Sequence, residues 1–166
     1  MGQREVLFKW AAYVLCAAVL LFLRTMVLGS LTLWGVLPFL PPILLTSVAS
    51  LEEIRSAVIF GTVFGVVCDL TFSAPFPCLY TLAFTISALL TAYLSATFFQ
   101  NYFLRALSGT VVTFLVTDLL CILVLTISGS AGFLPMLSLA TRETLVSLPF
   151  LAVYPLFVLI RRFFTY

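Results

Sequence analysis

The sequence predicts an all-α membrane protein, a single polytopic domain over residues 1–166 with six transmembrane helices. Of its residues, 63% are hydrophobic and 8% are charged, whereas a soluble domain carries roughly 25% charged residues. The apolar residues form continuous runs close to the ~20 residues that a spanning helix needs. These runs lack the alternation of a barrel strand, so helices are the structure expected to satisfy their backbone groups in lipid.

Six apolar segments, separated by polar or proline-containing connections, define the predicted spans. They lie at about 8–28, 33–50, 54–72, 79–98, 104–127 and 145–160. Pro38, Pro41 and Pro42 crowd the start of the second span, so that start is expected to be kinked or unwound, or the regular helix to begin near Pro41. The last span is expected to be broken by its two prolines. The long connection 128–141 has an apolar middle that is expected to lie along the membrane surface.

The basic residues favour one orientation of these spans. With six spans both termini lie on the same side, and most basic residues lie there too. They are Arg4, Lys9, Arg55, Arg105, Arg161 and Arg162. Only Arg24 and Arg142 fall on the other side. Because positive charge marks the cytoplasmic side, both termini are predicted to be cytoplasmic.

Small residues recur every four positions on the third and fourth predicted spans. These helix-packing residues are Ala57, Gly61, Gly65, Ala88, Ala92 and Ala96. On a helix, this spacing places side chains on one slowly drifting face. Such a face lets a second helix approach closely, so both stripes are expected to contact neighbouring helices rather than lipid.

Two acids lie inside the predicted spans. Asp69 follows the first small-residue stripe by four positions, and Asp118 lies in the fifth span. A carboxylate at membrane depth is costly unless it is paired, protonated or hydrated. At the rise of a helix, the two acids lie ~22 Å and ~21 Å from the cytoplasmic ends of their spans, in the outer half of the membrane.

Two hypotheses account for these acids. In the first, Arg24 or Arg142 approaches from the outer side and pairs with Asp69 and Asp118, which makes a buried polar cluster. In the second, nearby hydroxyls such as those of Thr71 or Thr117 cap each acid, and the acids are protonated. The sequence leaves both open.

The sequence offers no catalytic constellation. It contains no histidine, which removes the commonest general base and metal ligand. The four cysteines form no CxxC pair, so no zinc site is predicted, and they are expected to be small buried side chains, with a disulfide between Cys68 and Cys78 as the alternative. Glu52 and Glu53 are expected to form a solvated helix end. We therefore expect no enzyme, no cofactor and no metal; the small net charge of +2 also argues against nucleic acid.

One region carries a family resemblance. A proline-started second span is followed by a polar loop, the pattern A-xxx-G-xxx-G-xxx-D-L over residues 57–70, a turn containing Pro75 and Pro77, and a small-residue fourth span. This arrangement resembles MreD, the rod shape-determining membrane protein family of bacteria, and its informative part covers residues 38–95. In that family the turn carries a proline, an apolar residue and a glycine. Here Pro75-Phe76 is followed by Pro77, so the glycine is missing.

The resemblance implies a non-enzymatic scaffold of the cell-elongation machinery in the bacterial plasma membrane. MreD-like proteins bind MreC, a single-pass protein with a periplasmic domain. Through MreC they connect cytoplasmic MreB filaments with the RodA glycosyltransferase and its class B transpeptidase partner, and so help to control peptidoglycan synthesis and cell shape. The family is also similar in fold to the S components of energy-coupling-factor vitamin transporters. In that fold the first helices form a lateral face, so spans one and two are expected to face the partner.

The alternative function is that of such an S component, which binds a vitamin or a metal from outside. S components often carry an Ala-xxx-Ala docking pattern in the first span. The alanines of this first span are Ala11, Ala12, Ala17 and Ala18, and no two of them are four positions apart. An outer-half cavity lined by Asp69, Tyr80 and Asp118 would favour this function. A carrier of lipid or of another small molecule is a third possibility.

Overall fold

The computed structural model describes residues 3–27, 35–73, 76–97, 101–129 and 132–165. Within these ranges the chain is almost entirely helical, which confirms the predicted all-α class. The helices are α1 (Gln3–Val27), α2 (Pro41–Ala49), α3 (Ile54–Thr71), α4 (Leu79–Thr97), α5 (Tyr102–Ile127), α6 (Phe133–Ser147) and α7 (Tyr154–Thr165). A 3₁₀ segment, Leu148–Val153, joins the last two.

Five helical segments are long and apolar enough to cross a membrane. They are Val6–Met26, Ile54–Thr71, Leu79–Thr97, Tyr102–Ile127 and Phe133–Phe163. Their length and composition are consistent with a membrane protein. Four of them coincide closely with predicted spans one, three, four and five.

The second predicted span, 33–50, differs most from its prediction. Of its described residues, 35–50, the helical ones are Pro41–Ala49, and nine residues are too few to cross a membrane as a helix. Pro41 and Pro42 occupy the first turn of α2, where a missing N–H costs nothing, so the regular helix begins at Pro41, which was one of the two expected outcomes. All nine residues of α2 are buried. The expectation that this span faces a partner is therefore wrong, since α2 forms the centre of the bundle.

The segment 38–52 runs antiparallel to α1. At one end of α1, the ammonium group of Lys9 lies 2.8 Å from the carboxylate of Glu52. At the other end, Nε of Arg24 donates to the carbonyl oxygen of Pro38 at 3.2 Å. Lys9 and Arg24 are ~22 Å apart along the helix. The extended residues before α2 and the nine helical residues therefore cover together about the same height as this stretch of α1.

The last predicted span, 145–160, begins too late. Residues from Phe133 onward are already helical, and the apolar segment continues to Phe163. Pro135 does not prevent this, because it falls in the first turn of α6, where a proline is tolerated. The predicted break at Pro149 and Pro155 corresponds to the 3₁₀ segment Leu148–Val153, a tighter helix of the kind found at such interruptions.

The core on one side of α2 is an aromatic ladder. Successive ring centroids lie 5.5–5.9 Å apart from Phe60 through Phe64 and Phe84 to Tyr80. Phe39, just before α2, continues the series 5.6 Å from Tyr80. Ring pairs at such distances add to the stabilisation given by burial alone. The ladder fixes α3 and α4 against the extended segment that precedes α2.

The other side of α2 is rich in hydroxyls. The hydroxyls of Thr46 on α2 and Thr110 on α5 are hydrogen-bonded at 3.0 Å. Gly109 of α5 lies directly against Thr91 of α4, because a Cβ built on this glycine would lie 2.5 Å from the Thr91 methyl group. Small and hydroxyl side chains let membrane helices approach closely and bond across the contact. The α4–α5 contact, which the sequence did not predict in this detail, is of that kind.

Candidate functional site

The Asp69 carboxylate lies at the joint between α3 and α4. Its Oδ1 accepts a hydrogen bond from the Tyr80 amide at 3.0 Å. Its Oδ2 accepts from the amide and the hydroxyl of Thr81 at 2.9 and 2.6 Å. Both amides belong to the first turn of α4, whose N–H groups have no partner inside their own helix. Asp69 therefore caps α4 from a neighbouring helix.

The remaining N–H groups of that first turn are satisfied locally. The Leu79 amide donates to the carbonyl of Phe76, and the Leu82 amide donates to the carbonyl of Cys78. Cys78, which precedes the helix, has a φ of 64°, a left-handed conformation that is uncommon for residues other than glycine. With Asp69, all four amides at the start of α4 have acceptors. The acid also lies where the positive end of the α4 dipole favours it.

Two glycines bring α3 close enough to α4 for this bond to form. A Cβ built on Gly61 would lie 2.7 Å from the Ala88 Cβ, and one built on Gly65 would lie 2.6 Å from the Thr81 Cα. Both distances are far below van der Waals contact, so only glycine fits at these points without displacing the opposite helix. Gly65 lies one turn before Asp69 and contacts the same residue, Thr81, that the carboxylate binds.

The alanines of the two stripes differ in their burial. Ala57, Ala88 and Ala92 are buried, whereas Ala96 is exposed, so the predicted packing role of Ala96 is wrong. A four-residue step turns a helix by ~40° beyond a full turn, which carries Ala96 away from the contact face. Ser95 is seven residues from Ala88, only ~20° off the same face, and it is buried in its place.

Arg24 binds a backbone carbonyl and two aromatic rings rather than an acid. Besides its hydrogen bond to Pro38, its guanidinium lies 4.6 Å from the Phe72 ring centroid and 5.3 Å from that of Phe39. Glu143 is the acid within electrostatic range of it. Rings that face a cation in this way contribute about 0.5–2 kcal/mol each. Arg24 thus links α1 to Phe39, which lies just before α2, and to Phe72, which follows the last residue of α3.

The predicted four-residue polar cluster does not assemble in the predicted form. Arg142 is exposed, and within the described ranges neither Arg24 nor Arg142 forms an ion pair with Asp69 or Asp118. Glu143, one position further along α6, faces inward instead, because adjacent residues on a helix differ by ~100°. Asp69 is satisfied by a hydroxyl and two amides, which resembles the second hypothesis, although the hydroxyl is neither Thr71 nor Thr117.

Asp118 lies in a separate place, on the wall between α5 and α6. The Thr144 hydroxyl and the Glu143 carboxyl are polar groups close to it. That hydroxyl already donates to the carbonyl of Ala140 at 3.0 Å. The polar neighbours of Asp118 are therefore a second acid and a hydroxyl that already donates a hydrogen bond to a backbone carbonyl.

An apolar groove of about 1020 Å³ lies between α5 and α6. Asp118 is the ionisable residue on its walls, and the other lining side chains are apolar or threonine. They include Leu115, Leu119 and Leu123 of α5 and Leu137 of α6. Asp69 and Tyr80, which together with Asp118 would have favoured the vitamin-binding alternative, do not line this groove.

A buried ion pair holds the N-terminal part of α1, at the opposite end from Arg24. Lys9 lies 2.8 Å from Oε2 of Glu52, and the Tyr13 hydroxyl donates to Oε1 of the same residue at 3.1 Å. The prediction that Glu52 is solvated is wrong, whereas its neighbour Glu53 is exposed as expected. The opposite charges of Lys9 and Glu52 on the same predicted side were the signal that could have found this pair.

The turn before α4 was predicted to contain Pro75 and Pro77. Pro75 lies outside the described residues, and Pro77 is exposed in the turn before α4. Cys68 is buried and Cys78 is exposed, and both are free thiols. Among the residues that the structure describes, no group of three or more potential metal ligands comes together.

Comparisons with known proteins give no identification. No protein-family model, no curated protein and no solved structure matches this chain. The function has to be inferred from the residues and their geometry.

Proposed function

We propose that this chain is an MreD-type membrane scaffold, which binds MreC and helps to control peptidoglycan synthesis and cell shape. The observation that carries the proposal is the structural role of the A-xxx-G-xxx-G-xxx-D pattern in α3. Gly61 and Gly65 lie in close contact with α4, and Asp69 caps that helix. The residues that carry the family resemblance thus hold α3 and α4 together as a helical hairpin. This favours an architectural role over ligand binding or catalysis.

The proposed topology has six membrane crossings with both termini in the cytoplasm of a bacterial cell. Five of the crossings are supported by the five long helices. The sixth is supported by residues 38–52, which run antiparallel to α1, from the level of Arg24 to the level of Lys9. Near the other end of the chain, the Phe157 ring lies 6.1 Å from that of Tyr13, which brings α7 back to the side where α1 begins. Six antiparallel passes account for both contacts.

A non-enzymatic role agrees with the state of the acids. Asp69 is fully engaged by α4, and Glu52 is bound by Lys9 and Tyr13. Asp118 lies beside Glu143, a second acid, and no group of three or more potential metal ligands forms among the described residues. Almost all of the described residues lie in apolar helices, which agrees with a chain that acts through partners in the membrane. The proposed partners are MreC directly, and through it MreB, RodA and the class B transpeptidase.

The S-component alternative draws its support from the groove beside Asp118. Its volume of about 1020 Å³ lies at the upper end of the range found for small-molecule sites. Such sites place several convergent polar groups around the ligand. Here the lining supplies one carboxylate and a few threonine hydroxyls along an otherwise apolar surface. The scaffold is therefore the function that we favour.

Depletion of the protein in its source bacterium tests the proposal. Rod-shaped cells are expected to widen and become round, and expression of the unaltered chain is expected to restore the rods. Uptake of labelled vitamins is measured in the same cells. Unchanged cell shape together with lost uptake of one vitamin would contradict the scaffold and establish the alternative.

A further inference from the structure

We propose that the groove between α5 and α6 receives the single transmembrane helix of the partner, and that this helix presents a hydrogen-bond donor to Asp118. The donor is the side chain of a lysine, arginine, asparagine or glutamine. The inference rests on the proposed function, because it takes the partner to be MreC, and it adds where and by which chemistry that partner is bound.

The shape of the groove suits a membrane helix. Its α5 wall extends from Val111 to Ile127, ~24 Å along the helix, and its α6 wall from Phe133 to Leu145, ~18 Å. A helical segment of about sixteen residues has the same length as the longer wall. The leucines of the walls leave about half of their surface exposed. The groove is thus an elongated apolar trough on the outside of the bundle rather than an enclosed pocket.

The charge of the groove distinguishes between possible occupants. Asp118 has no ion-pair partner in the described part of the chain, Glu143 adds a charge of the same sign, and the Thr144 hydroxyl donates to Ala140. A carboxylate at this depth is costly unless a donor reaches it. A lipid acyl chain brings no donor, and an anionic headgroup would be repelled. A protein helix with one amide or cationic side chain satisfies the carboxylate and fills the apolar walls at once.

The other exposed apolar faces lack this combination. The outward face of α1 carries large apolar side chains such as Leu15 and Phe22. The charged residues of that helix in the spanning part are already used, Lys9 by Glu52 and Arg24 by Pro38 and the rings of Phe39 and Phe72. Such a face suits lipid. The groove between α5 and α6 suits a partner helix better, because Asp118 offers that helix one specific bonding position.

Photo-crosslinking of the full-length chain, produced together with MreC from the same genome, tests the location. The crosslinking residue replaces Leu119 or Leu137 in the groove, and Ile59 or Leu82 on the exposed faces of α3 and α4 in matched controls. We expect crosslinks to the membrane helix of MreC from the groove positions and none from the controls. Co-purification with MreC but crosslinks only from the controls, or only to lipid from the groove, would overturn the inference and leave the proposed function intact.

A pair of groove variants tests the chemistry. Asp118→Leu is expected to weaken the complex with MreC about tenfold, because a hydrogen bond to a charged group is worth that order. Thr126→Val removes a polar group from the same groove whose hydroxyl bonds only its own helix, at Ile122, and is expected to leave binding unchanged. Equal binding by both variants would overturn the role of Asp118. Absence of any complex with the unaltered chain would contradict the proposed function itself, and the inference with it.

Discussion

Asp69 on α3 binds both the amide and the hydroxyl of Thr81 on α4, at 2.9 and 2.6 Å. An acid near the end of one helix therefore supplies the cap that the next helix lacks in its own sequence. The Tyr80 amide is the third donor. This relationship explains why a carboxylate is kept inside an apolar hairpin, and it leads to the first prediction.

Replacement of Asp69 should unfold the hairpin more easily. Asp69→Ala leaves two amides and a hydroxyl without an acceptor, and it is expected to lower the free energy of unfolding by about 2–4 kcal/mol. Asp69→Asn keeps one acceptor oxygen and should fall between. Thermal unfolding in mild detergent measures both, with Thr71→Val as the control, because Thr71 bonds only Val67 of its own helix. Equal stability of Asp69→Ala and the control would refute the capping role.

The close contact at Gly65 gives a second prediction. Gly65→Ala places a methyl group 2.6 Å from the Thr81 backbone, so the two helices must separate, at about 1–3 kcal/mol of stability. Gly132→Ala is the control, since its methyl group would meet only side-chain atoms of Pro135, at 3.5 and 3.8 Å. Unfolding temperatures that fall alike for both variants would show that the contact at Gly65 is not specific.

The ion pair at the start of α1 gives a third. Glu52→Gln removes the partner of a largely buried Lys9, and loss of one member of a buried pair costs about 3–5 kcal/mol. Because α1 has few other contacts, we expect faster amide hydrogen exchange in its first three turns. Glu53→Gln, which changes an exposed neighbour, should have no effect. Slow exchange in both variants would mean that the pair does not hold α1.

The other end of α1 gives a fourth. Arg24→Met keeps the length of the side chain but removes the hydrogen bond to Pro38 and the attraction to the Phe72 and Phe39 rings. A loss of about 2 kcal/mol is expected. Arg142→Met, on an exposed residue that the sequence placed in the same cluster, should leave the unfolding temperature unchanged. The reverse order of the two effects would restore the predicted role of Arg142.

The regular features of the fold could be read from local patterns. Long apolar runs predict α1, α3, α4 and α5 closely, because a helix in lipid satisfies its own backbone. The burial of α2 at the centre of the bundle could not be predicted, since its apolar composition suits lipid and a protein core equally well. The beginning of α6 was missed because the serines and glycines before it, together with Pro135 just inside it, resemble a loop. Pro135 falls in a first turn, where it does not interrupt a helix.

The candidate site was predicted only in its less specific parts. That Asp69 needs a partner follows from its depth, but which partner depends on where α4 begins and how closely Gly65 lets it approach. Both are tertiary facts. The choice between Arg142 and Glu143 turns on one position of α6, a rotation of ~100° that a helix with an uncertain start does not fix. The packing residue Ala96 was lost for a similar reason, because the drift of a four-residue stripe accumulates.

The most direct test of the scaffold role is co-purification with MreC from the same genome in mild detergent. An unrelated single-pass membrane protein serves as the control, and light scattering gives the stoichiometry. The account predicts a complex of defined stoichiometry with MreC and none with the control. No complex, under conditions in which both proteins stay monodisperse, would contradict it.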